Sequence, residues 1–198
     1  MSHDTTMRRV YGVTLETVVR RILRSFDSAS PRLLEEGATW YPETTALALS
    51  LTGHENHYKR LITLEQAAAI IAGLSPRTTW TRNVQGAIAF VKEGRREAQR
   101  VVFLGANIEA AERGMLYGIE GLGGPKTRSF ARNIAGDTEA VTVDVWACRV
   151  AGLDQDRLTR KGAYDAVAHA YRLAAGRRGV HPSTMQATTW SVERGSSS

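Results

Sequence analysis

The 198-residue chain has one cysteine, Cys148. No disulfide can close within it, and a cysteine-rich zinc site or a cysteine-held iron–sulfur cluster is excluded. A reducing, cytoplasmic setting is the expectation. No apolar run approaches the length of a membrane span, so no membrane partner is expected. Met1–Arg9 is polar and charged and lacks the apolar core of a signal sequence. Strand-like alternation is scarce, and internal repeats and low-complexity inserts are absent, as are phosphate-binding Walker loops and dinucleotide fingerprints. The five histidines (His3, His54, His57, His169, His181) show no metal-ligand spacing. His54 and His57 fall in a polar stretch, Gly53–Lys59, that reads as a solvent-exposed loop. No metal, no cofactor and no obligate protein partner is expected.

What the chain does have is helical spacing and a basic excess. The formal charge is +6 and the sequence pI about 9.8. Such a balance is compatible with a polyanion partner without requiring one. The length suits one domain, or two packed lobes, with a proper core. Leu15, Val18, Val19, Ile22 and Leu23 repeat at helix spacing. Ser30-Pro31 reads as an N-cap with proline in the first helical position, and Pro42-Glu43 as the start of another short helix. Thr63-Leu64-Glu65-Gln66 is a capping box. The helix behind it carries small alanines that permit close packing, which marks it as a central element. Further helices are expected over Trp80–Lys92, Asn107–Tyr117, Pro125–Ile134, Tyr164–Ala175 and Ser183–Val192. Val141–Val143 has strand preference but is too short for a sheet, and Asp144 caps a helix through Val150. The fold class is all-α, with about ten helices.

The most informative stretch is Gly121-Leu122-Gly123-Gly124-Pro125-Lys126-Thr127, followed by Asp144 eighteen residues after Lys126. A tight glycine turn ahead of a helix leaves unpaired N–H groups that, with the helix dipole, attract a phosphate. Gly123 and Gly124 permit the left-handed geometry and close approach this needs. The same glycines also serve as a plain connection between packed helices.

The segments Gly121–Ile134 and Val141–Val150 resemble the helix-hairpin-helix DNA glycosylase superfamily, with the lysine-to-aspartate spacing of its endonuclease III and 8-oxoguanine glycosylase members. Ile70–Val84, with Ser75-Pro76-Arg77, is similar to the family's early helix and the turn that fills the gap left by a flipped base. The likeness spans roughly Thr63–Trp190. It implies an all-α, two-lobed fold with a cleft between the lobes and a helix-hairpin-helix over residues 107–135. On that reading residues 1–9 and 194–198 are loose. Departures are plain. Aligning on Lys126 puts Leu122 at the family's first hairpin glycine, Trp146 stands where a histidine is common, and the iron–sulfur cysteines are missing.

The resemblance implies double-stranded DNA as partner and base excision repair as the activity, a hydrolase with or without a lyase step. Asp144 would stabilise charge developing on the sugar, and Lys126 would attack the anomeric carbon, which requires burial to neutralise it. Gly121, Gly123, Gly124, Thr127, Arg77 and Arg128 would contact DNA, with Arg132 nearby. Trp80 and Trp146, with Trp40 and Tyr41 of a patch that has no assignable counterpart in the family, would stack on or enclose a flipped base. Plainer roles stand beside these: an N-cap for Asp144, a phosphate contact for Lys126, solvated surface for Arg128 and Arg132, core packing for the aromatics. Two other functions fit the scaffold, a phage-type enzyme that hypermodifies a pyrimidine and a non-catalytic DNA-binding module.

Overall fold

The computed structural model describes residues 2–53, 55–56 and 59–195. Among them are eleven α-helices: α1 (His3–Tyr11), α2 (Leu15–Asp27), α3 (Pro31–Leu51), α4 (Leu64–Leu74), α5 (Trp80–Glu93), α6 (Arg95–Val101), α7 (Gly105–Tyr117), α8 (Pro125–Ile134), α9 (Val145–Ala151), α10 (Ala163–Arg178) and α11 (Pro182–Gly195). Short 3-10 turns cover Gly118–Gly121 and Gln155–Thr159. No strand occurs among the described residues; Glu55 and Leu61 make one isolated bridge. The fold is all-α. His54 and His57, expected in an exposed loop, lie outside the described residues, as do Ser196–Ser198 of the expected loose tail.

Two expectations are corrected. Most of the supposedly loose amino terminus is helix α1, capped by the Ser2 hydroxyl and burying Met7 and Val10. Its apolar residues are too few for periodicity to announce it; tertiary burial supplies the stability that a nine-residue helix lacks alone. Pro42 does not open a helix but lies inside α3. Proline withholds the donor that the Ala38 carbonyl expects, and Ala38 is exposed, so water can take its place. The start of α3 is set earlier, where the Ser30 hydroxyl accepts from Leu33 N at 3.3 Å.

The chain divides into two compact units, Met1–Pro42 with Asp137–Ser198, and Glu43–Gly136. In the second, α4 is buried on every side from Ala67 to Leu74. Its capping box is present, and Gln66 also donates to the Met115 carbonyl at 2.7 Å. Small residues bring α4 and α7 together: a Cβ on Gly73 would meet the Ala111 nitrogen at 2.9 Å, and one on Gly114 would meet the Ala69 Cβ at 2.9 Å. Any larger residue at either point forces the helices apart.

In the first unit α10 plays the central part. Ala166, Val167, Ala170, Tyr171 and Ala174 are buried against Val18, Val19, Ile22, Ala147 and Met185. The Tyr171 hydroxyl donates to the Ala147 carbonyl at 3.1 Å, so its buried polar end is satisfied. Helices α3 and α11 approach even more closely. A Cβ on Gly37 would fall 2.0 Å from the Thr188 hydroxyl oxygen, and only glycine fits there.

Candidate functional site

Glu43–Gly136 carries the glycine hairpin. The 3-10 turn Gly118–Gly121 leaves α7, Leu122 plugs into the core, and Gly124 caps α8 with Pro125 as its first residue. Gly124 has φ +75°, a left-handed value that favours glycine. Added Cβ atoms at Gly123 and Gly124 would meet nothing within 4 Å. The backbone at the start of α8 is therefore open to a ligand, and no side chain caps it.

Gly121, expected to touch DNA, has a different task. A Cβ there would sit 2.3 Å from the Arg113 carbonyl, and its own carbonyl accepts from Arg113 Nε at 3.2 Å. It is a packing glycine that lets the turn return against α7. Arg128, although exposed, folds back on the hairpin. Its Nε donates to the Leu122 carbonyl at 2.8 Å and its Nη2 to the Glu120 carbonyl at 3.3 Å, and the Glu120 carboxylate lies 3.5 Å away. It braces the hairpin. Thr127 is half-buried and Arg132 exposed.

Lys126 is exposed at the second position of α8. The buried amine required for Schiff-base chemistry is not what this position provides. Its surroundings suit a cation that meets a phosphate.

The turn between α4 and α5 holds the other feature of this unit. Arg77 is exposed and has φ +56°, left-handed for a residue with a Cβ. Such a conformation costs roughly 1–2 kcal/mol and persists where the surroundings over-determine it. Here they do. Buried Asn107 donates through Nδ2 to the Leu74 carbonyl at 3.1 Å, to Pro76 at 2.7 Å and to the Thr78 hydroxyl at 3.3 Å. Nearby chain adds Phe103, 68% exposed between α6 and α7, with the Arg82 guanidinium 5.3 Å from its ring centroid. Sequence reasoning missed this pair because Phe103 reads as core until its exposure is known. Trp80, at the start of α5, packs on the core of this unit as a half-buried residue.

The other unit carries the aspartate. Asp144 is half-buried and caps α9, its Oδ1 accepting from Ala147 N at 2.9 Å. The extended run before it is fastened by Tyr164, whose hydroxyl donates to the Val141 carbonyl at 2.9 Å and accepts from Val143 N at 3.1 Å. The strand preference of Val141–Val143 is thus satisfied by a side chain instead of a partner strand. Trp146 is half-buried, with the Arg149 guanidinium 4.7 Å from its ring centroid.

Tyr41 is not a stacking residue. It is buried, and its hydroxyl donates to Gln186 Oε1 at 2.8 Å and lies 3.4 Å from the Thr142 hydroxyl. Burial, reinforced by the Asp144 charge, raises its phenol well above the ordinary range. Trp40 packs, tilted, on Trp190 of α11, with centroids 5.5 Å apart and planes at 38°. Arg194 covers the Trp190 ring at 4.5 Å. Gln186 and Trp190 stand one turn apart on α11, a pairing legible as helix spacing but carrying no motif that singles it out.

No group of three or more metal-ligating side chains occurs among the described residues, and no helix among them is long and apolar enough to cross a membrane. Residues 4–197 match the model of a family of unknown function, DUF7178. The chain belongs to that family. No curated protein and no solved structure matches it.

Proposed function

We propose that this DUF7178 protein is a DNA base-processing enzyme, a glycosylase that takes a modified base out of the duplex and cleaves its bond to the sugar. The observation that carries the reading is the open, uncapped start of α8 at Gly123 and Gly124, with Lys126 exposed beside it. Backbone N–H groups and a helix dipole hold a phosphate without reading a base, and Lys126 adds a point charge. The strained turn at Arg77 supports it, since a side chain held outward at a cost of this size suits insertion into a base stack. Residues 43–136 bear twelve Lys and Arg against eight Asp and Glu, an excess of four that favours a polyanion.

In this reading Asp144 stabilises positive charge on the sugar as the glycosidic bond breaks. Its N-cap bond to Ala147 N fixes the direction of the carboxylate, so the structural and chemical roles coexist. The half-buried Trp40–Trp190 pair offers aromatic surface to a base, and the Tyr41 bond to Gln186 Oε1 orients that amide. The exposure of Lys126 favours a phosphate contact over covalent attack, hence excision without strand cleavage.

The decisive experiment is mass spectrometry of duplexes carrying damaged and 5-substituted bases after incubation with the protein. Release of a free base that is lost in Asp144→Asn and only weakened in Lys126→Ala supports a glycosylase without lyase activity. A borohydride-trapped adduct that needs Lys126 restores the lyase step. Mass gained on a base without release selects a modifying transferase. Binding without any product leaves a non-catalytic module.

A further inference from the structure

His3 and His169 stack face to face, with ring centroids 4.3 Å apart and planes at 28°. His3 opens α1, and His169 lies on α10, the central helix of its unit. Helix α1 has nine residues and relies on its seat, because so short a helix is marginal alone. Its far end is well fastened: Arg157 donates to the Val10 carbonyl at 2.7 Å, and Arg9 to that of Lys161 at 3.0 Å. At its near end the ring stack supplies the contact with α10, while Asp4 reaches Leu15 N of α2 at 2.8 Å.

We propose that the His3–His169 stack is a pH-sensitive clasp, closed while the rings are neutral and loosened when both carry charge, which frees the first turn of α1 from α10.

Like charges this close repel. Burial, the His3 ring and Arg172 all act to keep His169 neutral, burial most strongly. Asp4, beside His3, is committed to Arg8 at 2.8 Å and to Leu15 N. Asp165 lies one turn before His169 on α10 and is exposed to solvent. Helices α2 and α11 and the Gln155–Thr159 turn also pack on α10; the charges that act on His169 are those of His3 and Arg172. The sign follows. A histidine whose folded-state pKa is lowered contributes stability above its ordinary value, near 6.5, begins to lose it as pH falls below that value, and has lost it once pH falls through the lowered folded value. The clasp therefore holds at neutral pH and opens on mild acidification, without involving the glycine hairpin or Asp144.

Hydrogen–deuterium exchange of the intact protein, corrected for intrinsic chemical rates, tests this at pH 7.5 and pH 5. Opening of α1 amides is expected to rise several-fold on acidification. Amides of α10 should change far less. His3→Phe and His169→Phe keep an aromatic stack but cannot charge both rings; each should retain protection at pH 7.5 and lose most of the acid response. Equal protection of α1 at both pH values in the unaltered protein overturns the proposal, whatever the variants do. An undiminished acid response in both folded variants overturns it equally.

Discussion

Asn107 holds Pro76: its side-chain amide donates to the Pro76 carbonyl at 2.7 Å, one residue before the left-handed Arg77. One buried side chain thus imposes the shape of an exposed turn. Asn107→Ala leaves the Leu74 and Pro76 carbonyls short of a donor and is expected to cost about 1–3 kcal/mol in urea unfolding. Arg77→Gly should do the reverse. It removes a conformational cost of roughly 1–2 kcal/mol, offset in part by the greater freedom of glycine in the unfolded chain. Stability unchanged or raised, together with weaker DNA binding, is the expected pair of outcomes. A clear loss of stability in Arg77→Gly argues against strain at this turn.

Two hairpin glycines separate packing from binding. Gly121→Ala drives a methyl into the Arg113 carbonyl and is expected to destabilise the fold by about 1–3 kcal/mol. Gly123→Ala meets open space at a position without left-handed φ, so its stability should stay within about 0.5 kcal/mol of the parent. Its defect should appear in DNA binding instead. Fluorescence anisotropy over a salt series checks this, and Lys126→Ala should flatten the log–log salt slope by about 0.9, the share of one phosphate. An unchanged affinity in Gly123→Ala removes the phosphate seat from this loop.

Tyr41→Phe leaves Gln186 Oε1 without its donor in a buried setting. A loss of about 1–3 kcal/mol in thermal or urea unfolding is expected. Trp190→Ala removes the aromatic partner of Trp40 and should cut excision of the preferred base more than it cuts binding of an abasic duplex. Equal losses on both substrates would assign Trp190 to packing alone.

The first unit should be the weak one in alkali. Burial pushes the Cys148 thiol up to about 12 and the Tyr11 phenol, whose hydroxyl is buried without a partner, to about 12. Tyr41 and Tyr171 are raised further by the same cause. These groups lose protons more readily in the unfolded chain. Stability therefore falls as pH rises above their ordinary values, from about 9 for the thiol and 10 for the phenols. Phenolate absorbance at 295 nm should rise in a cooperative step coincident with unfolding. In the native protein below that step, Cys148 should resist thiol reagents. Ready modification at pH 8 would contradict its burial.

Much of the helical layout was readable because amphipathic spacing and caps coincide. The Thr63–Gln66 box, the Pro125 start of α8 and the Asp144 cap each combine a local hydrogen-bonding residue with an apolar stripe behind it. Helices α1 and α6 lacked that stripe. Pro42 misled because the proline rule is local, while a solvent-exposed carbonyl relieves the penalty within a helix already started at Ser30. Among the candidate site residues, sequence could place Gly123, Gly124 and Lys126 at the head of a helix. It could not tell that Arg128 turns back on its own hairpin, that Gly121 packs against Arg113, or that Tyr41 is spent on Gln186. Those facts depend on partners distant along the chain or on which way a long side chain folds back. Phe103 and Gln186 were missed for the same reason.

The bonds from Arg128 to the Leu122 and Glu120 carbonyls tie the loop from within. On the proposed reading, an anion arriving at Gly123 and Gly124 would meet a loop already held in place. On that reading capture should then proceed at the rate of encounter, and release should depend on charge and salt.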